Sequence, residues 1–88
     1  MRLDRDAREF YTLTIATTPT VAAWEASFDG GTTWVAGTAA GGNWRWLVAG
    51  PDAVPGTATV LSRSTGPKIR AVDNPEIVVR SAPGVTLV

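Results

Sequence analysis

Apolar and polar residues alternate in short runs from Arg8 onward, and Gly, Pro and Asp interrupt them roughly every 8–12 residues. A period of two is typical of strands that bury one face, and no segment holds a 3.6-residue apolar period long enough to predict a helix. The predicted strands are 9–17, 21–28, 44–49, 57–61, 68–72, 76–80 and the end of 82–88. The pattern therefore predicts an all-β fold, a small immunoglobulin-like β-sandwich of seven or eight short antiparallel strands, with a partly open β-barrel as the alternative.

The same alternation predicts which side chains face the core of the sandwich. The inward positions are Tyr11, Leu13 and Ile15; Ala22, Trp24, Ala26 and Phe28; Trp44, Trp46 and Val48; Ile69 and Ala71; and Ile77 and Val79. Phe10 and Thr12, and likewise Arg45 and Leu47, fall on the opposite side of their strands.

A hairpin is predicted in segment 24–34, where WEASF is followed by Asp-Gly-Gly and then TTW. A two-residue turn would pair Glu25 with Trp34 and turn the indole to solvent. A three-residue loop at 29–31 pairs Ala26 with Trp34 and places the indole on the core side. We expect the three-residue loop. The run of small residues at 37–43 predicts a loop without rigid features.

The two ends of the chain differ from the middle. Residues 1–8 are charged and carry one apolar anchor, Leu3, so they predict an N-terminal arm that is mobile unless something binds it, ahead of a single β-sandwich domain at 9–88. The apolar tail 85–88 predicts a terminal strand. It either closes a sheet edge in its own domain or adds to the edge of a neighbour.

Composition narrows the functional classes. The 88 residues include no Cys and no His, which excludes disulfides, thiolate metal sites and the commonest metal ligand. Eight basic and eight acidic residues give a formal net charge of zero, with no basic cluster for nucleic acid or an anionic membrane. There is no apolar run long enough to span a bilayer and no signal peptide at the start. We expect a soluble product made in the cytoplasm.

Catalysis is not expected, because a general base or nucleophile usually relies on His or Cys. The aspartates at 29, 52 and 73 lie at predicted turns, where Asp is favoured for its hydrogen bonds to nearby amides. Segments 29–31 and 73–76 offer oxygen ligands for calcium but lack the spacing of a calcium loop. We therefore expect no enzyme activity, catalytic residue, metal, cofactor or small-molecule substrate.

Four tryptophans are the most unusual feature of the composition. Their positions on the apolar faces favour a core role, although exposed indoles also form platforms for sugar rings or bases. Trp44 and Trp46 share one face, which is crowded for a single core layer, so Trp46 is predicted to be an exposed interface anchor. The candidate partner-binding residues are Leu3, Trp46, Val85 and Leu87.

Four stretches, RLDRDAREF, SFDGGTTW, NWRWLVAGPDA and VDNPEIVVR, together resemble small virion-associated proteins of tailed phages that infect Actinobacteria. The resemblance covers most of the chain and carries no catalytic motif. It implies a virion structural protein, made in the host bacterial cytoplasm, that serves as a head–tail connector or neck component or as a capsid decoration protein. Its implied partners are capsid, portal or neck proteins and copies of itself.

Two other functions are compatible with the residues. A carbohydrate-binding immunoglobulin-like module would use Trp34 or Trp46 as a stacking platform. A spacer domain of the same fold would have no ligand and no stable partner.

Overall fold

The structure, a computed structural model, describes residues 1–15, 23–72 and 79–88. These residues form ten short strands and no helix, and thus no helix that could cross a membrane. The strands are β1 (Arg2–Leu3), β2 (Arg8–Leu13), β3 (Trp24–Ser27), β4 (Val35–Ala36), β5 (Thr38–Ala40), β6 (Asn43–Ala49), β7 (Thr59–Val60), β8 (Lys68–Ala71), β9 (Val79–Ser81) and β10 (Thr86–Leu87).

The strands form three sheets. In the β6 sheet the order is β2-β6-β5, with β7 also paired to β6, and in the β3 sheet it is β4-β3-β8-β9. The terminal pair consists of β1 and β10. The pairings of β1 with β10 and of β6 with β7 are parallel, whereas the sequence analysis expected only antiparallel neighbours. Each parallel pair includes at least one strand of only two residues (β1 and β10 in one, β7 in the other), which is too short to show alternation.

One hydrophobic core lies between the β6 sheet and the β3 sheet. The β6 sheet contributes Tyr11, Leu13, Trp46 and Val48, and the β3 sheet contributes Trp24, Ala26, Ile69 and Ala71. The Tyr11 ring meets the Phe28 ring edge to face, with centroids 5.6 Å apart. The fold is therefore all-β with two packed layers, which confirms the predicted small β-sandwich.

Most of the predicted strands are present, and the described inward positions face the core with one exception. Val79 was expected to face inward but is 47% exposed, because the register places Arg80, not Val79, opposite the inward Ile69 and pairs Val79 with the outward Arg70. The 44–49 and 68–72 predictions agree with β6 and β8 to within one residue at each end, and 57–61 contains β7. The first predicted strand, 9–17, corresponds to β2 at Arg8–Leu13. The predictions for 16–22 and 73–78, which include the inward positions Ala22 and Ile77, lie outside the described residues.

The small-residue run at 37–43 is a hairpin rather than the predicted loop. Strand β5 pairs with β6 up to Ala40 and Asn43, which leaves a two-residue turn at Gly41-Gly42. Their φ angles of 57° and 86° are both positive, as a type I′ turn requires and as glycine readily adopts. The strand was missed because its small side chains show no alternation of apolar and polar residues. The two glycines still indicate the turn.

The predicted mobile N-terminal arm is also corrected, because the first residues are integrated into the domain. Leu3 is fully buried, and β1 runs parallel to β10. The Leu3 carbonyl accepts a hydrogen bond from the Val88 amide at 2.9 Å, and the Arg5 amide donates to the Val88 carbonyl at 3.0 Å. Gly50 permits this approach, since a Cβ there would overlap the Arg5 carbonyl.

We expect Leu3→Ala to lower the free energy of unfolding by about 2–5 kcal/mol, the range for removing a buried Leu side chain. Val54→Ala is the matched control, since Val54 is 83% exposed and its truncation should change the free energy by less than about 0.5 kcal/mol. Urea titration followed by tryptophan fluorescence measures both. Equal effects of the two substitutions would contradict the integrated N-terminus.

Candidate functional site

The loop between β3 and β4 is held by the side chains of Ser27 and Asp29. The Ser27 hydroxyl donates to Asp29 Oδ1 at 2.7 Å and accepts from the Gly31 amide at 2.8 Å. Asp29 Oδ1 also accepts from the amides of Thr32 and Thr33, at 3.1 and 2.8 Å. These hydrogen bonds, with that from the Thr33 amide the strongest, lower the pKa of Asp29 to about 2.

The Asp29 carboxylate stabilises the conformation of its own loop, as the interpretation of Asp29 as a turn residue predicts. One carboxylate oxygen of Asp29, Oδ1, already accepts three hydrogen bonds from the loop itself. The second segment considered for calcium, 73–76, lies outside the described residues. Among the described positions, no group of three His, Cys, Asp or Glu side chains comes together.

The register of the hairpin differs from the predicted one. Ala26 pairs with Val35, and Glu25 pairs with Ala36, so the predicted pairing of Ala26 with Trp34 is wrong by one residue. Since neighbouring residues of a strand point to opposite faces, this shift moves Trp34 from the core side to the outer face. The loop between β3 and β4 therefore has seven residues, 28–34, rather than the predicted three, and its side-chain hydrogen bonds hold its ends together.

The Trp34 patch, which we define as Glu25, Trp34, Arg70 and Val79, lies on the outer face of the β3 sheet. The guanidinium carbon of Arg70 is 4.1 Å from the Trp34 ring centroid, and Arg70 Nε is 2.9 Å from Glu25 Oε1. Glu25, Arg70 and Val79 are direct neighbours across β3, β8 and β9. Trp34 Nε1 donates to the Gly31 carbonyl at 3.1 Å, so the half-buried indole is fixed both by this hydrogen bond and by Arg70. Arg70 in turn has an acidic partner within the chain, Glu25.

The Phe10 patch, which we define as Arg8, Phe10, Arg45 and Leu47, lies on the outer face of the β6 sheet. The guanidinium carbon of Arg45 is 4.2 Å from the Phe10 ring centroid, and Phe10 is 50% exposed. Phe10 pairs with Leu47 across β2 and β6, and Arg8 lies two pairs further along, opposite Ala49. Arg45 Nε is buried and has no hydrogen-bond partner among the described residues.

The two outer faces thus carry the same device, an aromatic ring with an arginine stacked on it. Such a contact contributes about 0.5–1 kcal/mol when exposed and about 2 or more when water is excluded. Aromatic residues and arginine are also enriched at the centres of protein interfaces. The arrangement suits contact with another macromolecule, and the two patches point away from each other because each sheet turns its inner face to the shared core.

The structure places the four predicted partner-binding residues away from these patches. Leu3 is 0% exposed, Trp46 and Val85 are each 2% exposed, and Leu87 packs against the core while partly accessible. The tail strand pairs with β1 of its own domain, which is the first of its two predicted alternatives.

Trp46 is not the exposed anchor that the sequence predicted. Its Nε1 donates to the Val35 carbonyl at 2.8 Å, so the polar atom of the ring is satisfied inside the sandwich. Gly37 makes room for the ring, since a Cβ at that position would lie 2.7 Å from an atom of the indole. Trp44, the other indole of the pair, is half-buried at the edge of the core.

The sequence pattern already indicated that three residues of the Phe10 patch point outward. The alternation placed Phe10 on the outer side of its strand, and Arg45 and Leu47 on the outer side of theirs. Only the register between β2 and β6 brings them together, and that register joins residues more than thirty positions apart.

We expect the stability contributed by Asp29 to depend on pH. Its folded pKa of about 2 lies below the ordinary 3.8, so the folded state favours the carboxylate; that stability is present above pH 3.8 and is lost as the pH falls through 2. Asp29→Asn should lower the free energy of unfolding at pH 7 and reduce its fall in this acid range. Urea titrations between pH 7 and pH 2 measure it, with Asp4→Asn as the control for losing one exposed acidic residue; an unchanged acid dependence in Asp29→Asn would contradict the assignment.

Comparisons of the chain with models of known protein families, with curated proteins and with solved structures give no match.

Proposed function

We propose that this chain is a non-enzymatic structural protein that acts by protein–protein contacts in a symmetric assembly, the virion of a tailed phage. Its role is that of a head–tail connector or neck component, or of a capsid decoration protein. The proposed partners are capsid, portal or neck proteins and copies of itself, and the protein is made in the cytoplasm of the host bacterium. The sequence resemblance to actinobacterial phage virion proteins motivates the virion, and the structure supports a contact role.

The observation that carries the contact role is the presence of an aromatic–arginine pair on each outer face of the sandwich. Trp34 with Arg70 and Phe10 with Arg45 have nearly equal separations, 4.1 and 4.2 Å. A subunit that lies between two neighbours needs two contact surfaces, and heterologous contacts of this kind build rings and lattices. Two rigid, partly apolar patches on opposite faces meet that requirement.

Two surface recesses lined by described residues favour the same conclusion. The one bordered by Phe28, Asp29 and Val60 encloses about 130 Å³, and the one between Leu61 and Arg63 encloses about 240 Å³. Pockets that take drug-sized ligands enclose about 300–1,000 Å³. Recognition by a broad surface therefore fits this molecule better than capture of a small ligand in these recesses.

Mass spectrometry of purified particles tests the proposal. Particles released from a host that carries the gene should contain this chain at a fixed copy number relative to the major capsid protein, through separation in a density gradient. The control is a non-structural protein encoded near it, which should be lost in the gradient. Absence of the chain from intact particles would contradict the virion role.

The second candidate, a carbohydrate-binding module, is favoured by one observation: Trp34 lies on the outer face and is partly exposed. Because Trp46 is buried, Trp34 is the indole that a sugar ring would use. Arg70 already covers one face of that indole, which leaves less of it for stacking than an open platform provides.

Tryptophan fluorescence distinguishes this candidate. A carbohydrate-binding module should show saturable quenching by a soluble polysaccharide, and Trp34→Phe should abolish it while the fold is retained. We expect no saturable quenching from the parent protein across a panel of glycans, because Arg70 and the loop occupy the indole. A saturable response that depends on Trp34 would favour the carbohydrate-binding function over the proposed one, and a folded monomer absent from particles would favour the spacer.

A further inference from the structure

The Phe10 patch and the Trp34 patch differ in one respect, the partner of the arginine. In the Trp34 patch, Arg70 is paired with the carboxylate of Glu25 on the neighbouring strand. In the Phe10 patch, the residues directly opposite Arg45 are Thr12 on β2 and Thr38 on β5. Among the described residues, the aromatic–arginine pair therefore has an acidic neighbour on one face and none on the other.

We propose that the Phe10 patch binds an acidic segment of a protein partner, with a carboxylate at Arg45 and an apolar side chain against Phe10 and Leu47. The inference rests on the proposed function, since it supplies the surface and the partner chemistry for one of the two contacts. Burial, charge and orientation each support it.

The charge of this face is positive. Strands β2, β5 and β6 place two charged residues on it, Arg8 and Arg45. The one acidic residue in these strands, Glu9, pairs with the buried Val48 and therefore belongs to the other face of the sheet. Among the described residues, the ion pairs join Arg5 to Asp52 and Arg70 to Glu25, and neither involves this face. An acidic segment complements Arg8 and Arg45, neither of which forms an ion pair among the described residues, although Arg8 donates a hydrogen bond to the Val54 carbonyl at 3.5 Å. Such complementarity gives orientation and specificity.

Arg45 is held in place before any partner arrives. It lies on the central strand of its sheet, stacks on Phe10 at 4.2 Å, and has its Nε covered. A side chain that is already ordered loses less entropy on binding than a free one. Because Nε is covered while the residue as a whole is half-buried, an incoming carboxylate meets the remaining, accessible part of the guanidinium. Arginine is suited to this contact because its planar guanidinium matches a carboxylate.

The apolar part of the patch selects a protein over a single-stranded nucleic acid. Nucleic-acid platforms stack successive bases on several aromatic faces. Here β2, β5 and β6 turn one aromatic ring outward, Phe10, and Arg45 covers one face of it. The half-exposed ring edge and the adjacent Leu47 suit an aliphatic side chain instead.

Nuclear magnetic resonance of the full ¹⁵N-labelled chain tests the proposal. The probe is a short blocked peptide of alternating glutamate and leucine, and the control peptide has lysine in place of glutamate. We expect saturable shifts of the Arg45 Nε–H resonance and of the amides of β2 and β6, weakened by salt and absent with the lysine peptide. The Trp34 patch serves as the internal control and should stay unshifted.

Matched variants assign the binding to the patch. Arg45→Gln should weaken the affinity about tenfold or more, as expected for a charged hydrogen bond, and Phe10→Ala should weaken it as well. Arg63→Gln, an exposed arginine outside the patch, removes the same charge and should leave the affinity unchanged. Arg45→Lys keeps the charge but not the planar stack and should fall between parent and Arg45→Gln; thermal unfolding confirms that each variant is folded.

Three results would overturn the inference: equal binding of the lysine peptide, equal weakening by Arg63→Gln, or larger shifts on the same face with an oligothymidine strand. Incorporation of the chain into virus particles distinguishes a failure of this inference from a failure of the proposed function. If a folded Arg45→Gln chain enters particles at the parent copy number, the patch is not the contact and the virion role stands. If the parent chain itself is absent from particles, the proposed function fails while acidic-peptide binding can still be measured.

Discussion

The burial of Trp46 between the two main sheets is the contact on which the rest of the structure depends. Its ring lies on the inner face of the β6 sheet, and its N–H donates to the Val35 carbonyl on β4 of the other sheet. A buried indole N–H without an acceptor costs about 1–3 kcal/mol, so the hydrogen bond is what allows so large a ring to occupy the interior. Gly37 completes the arrangement, because only a residue without a Cβ leaves space beside the ring.

The position of Trp46 determines which aromatic residues remain for the surface. Tyr11 packs on the same side of the β6 sheet, with its ring 6.3 Å from the Trp46 ring. Its hydroxyl donates to the Pro83 carbonyl, and burial raises its pKa to about 12. Alternation along β2 then turns Phe10 outward, where it meets Arg45. The outer pair follows from the packing of the inner pair, since neighbouring residues in a strand cannot share a face.

Sequence reasoning succeeded where one strand carried its own signal and failed where two distant segments had to be placed together. The alternation in β2, β6 and β8 identified these strands and their inward faces. It could not show the pairing of Leu3 with Leu87, because a two-residue strand has no period. The hairpin shows the limit most clearly: Asp29-Gly30 correctly indicated a turn, but the hydrogen bonds of Ser27 and Asp29 set its length, and one residue of register moved Trp34 to the other face.

The candidate surfaces were missed for the same reason. Each patch joins an aromatic residue to an arginine that lies far from it in the sequence, Trp34 to Arg70 on β8 and Phe10 to Arg45 on β6. What separates the two patches is a single cross-strand neighbour, Glu25 beside Arg70 and threonine beside Arg45. A carboxylate within the chain offsets the charge of Arg70. Covering that patch with an apolar surface therefore costs less than covering an arginine that has no carboxylate partner. Covering Arg45 with an apolar surface would bury an uncompensated charge, which is why its face requires an acidic partner and the two faces of the sandwich favour different neighbours.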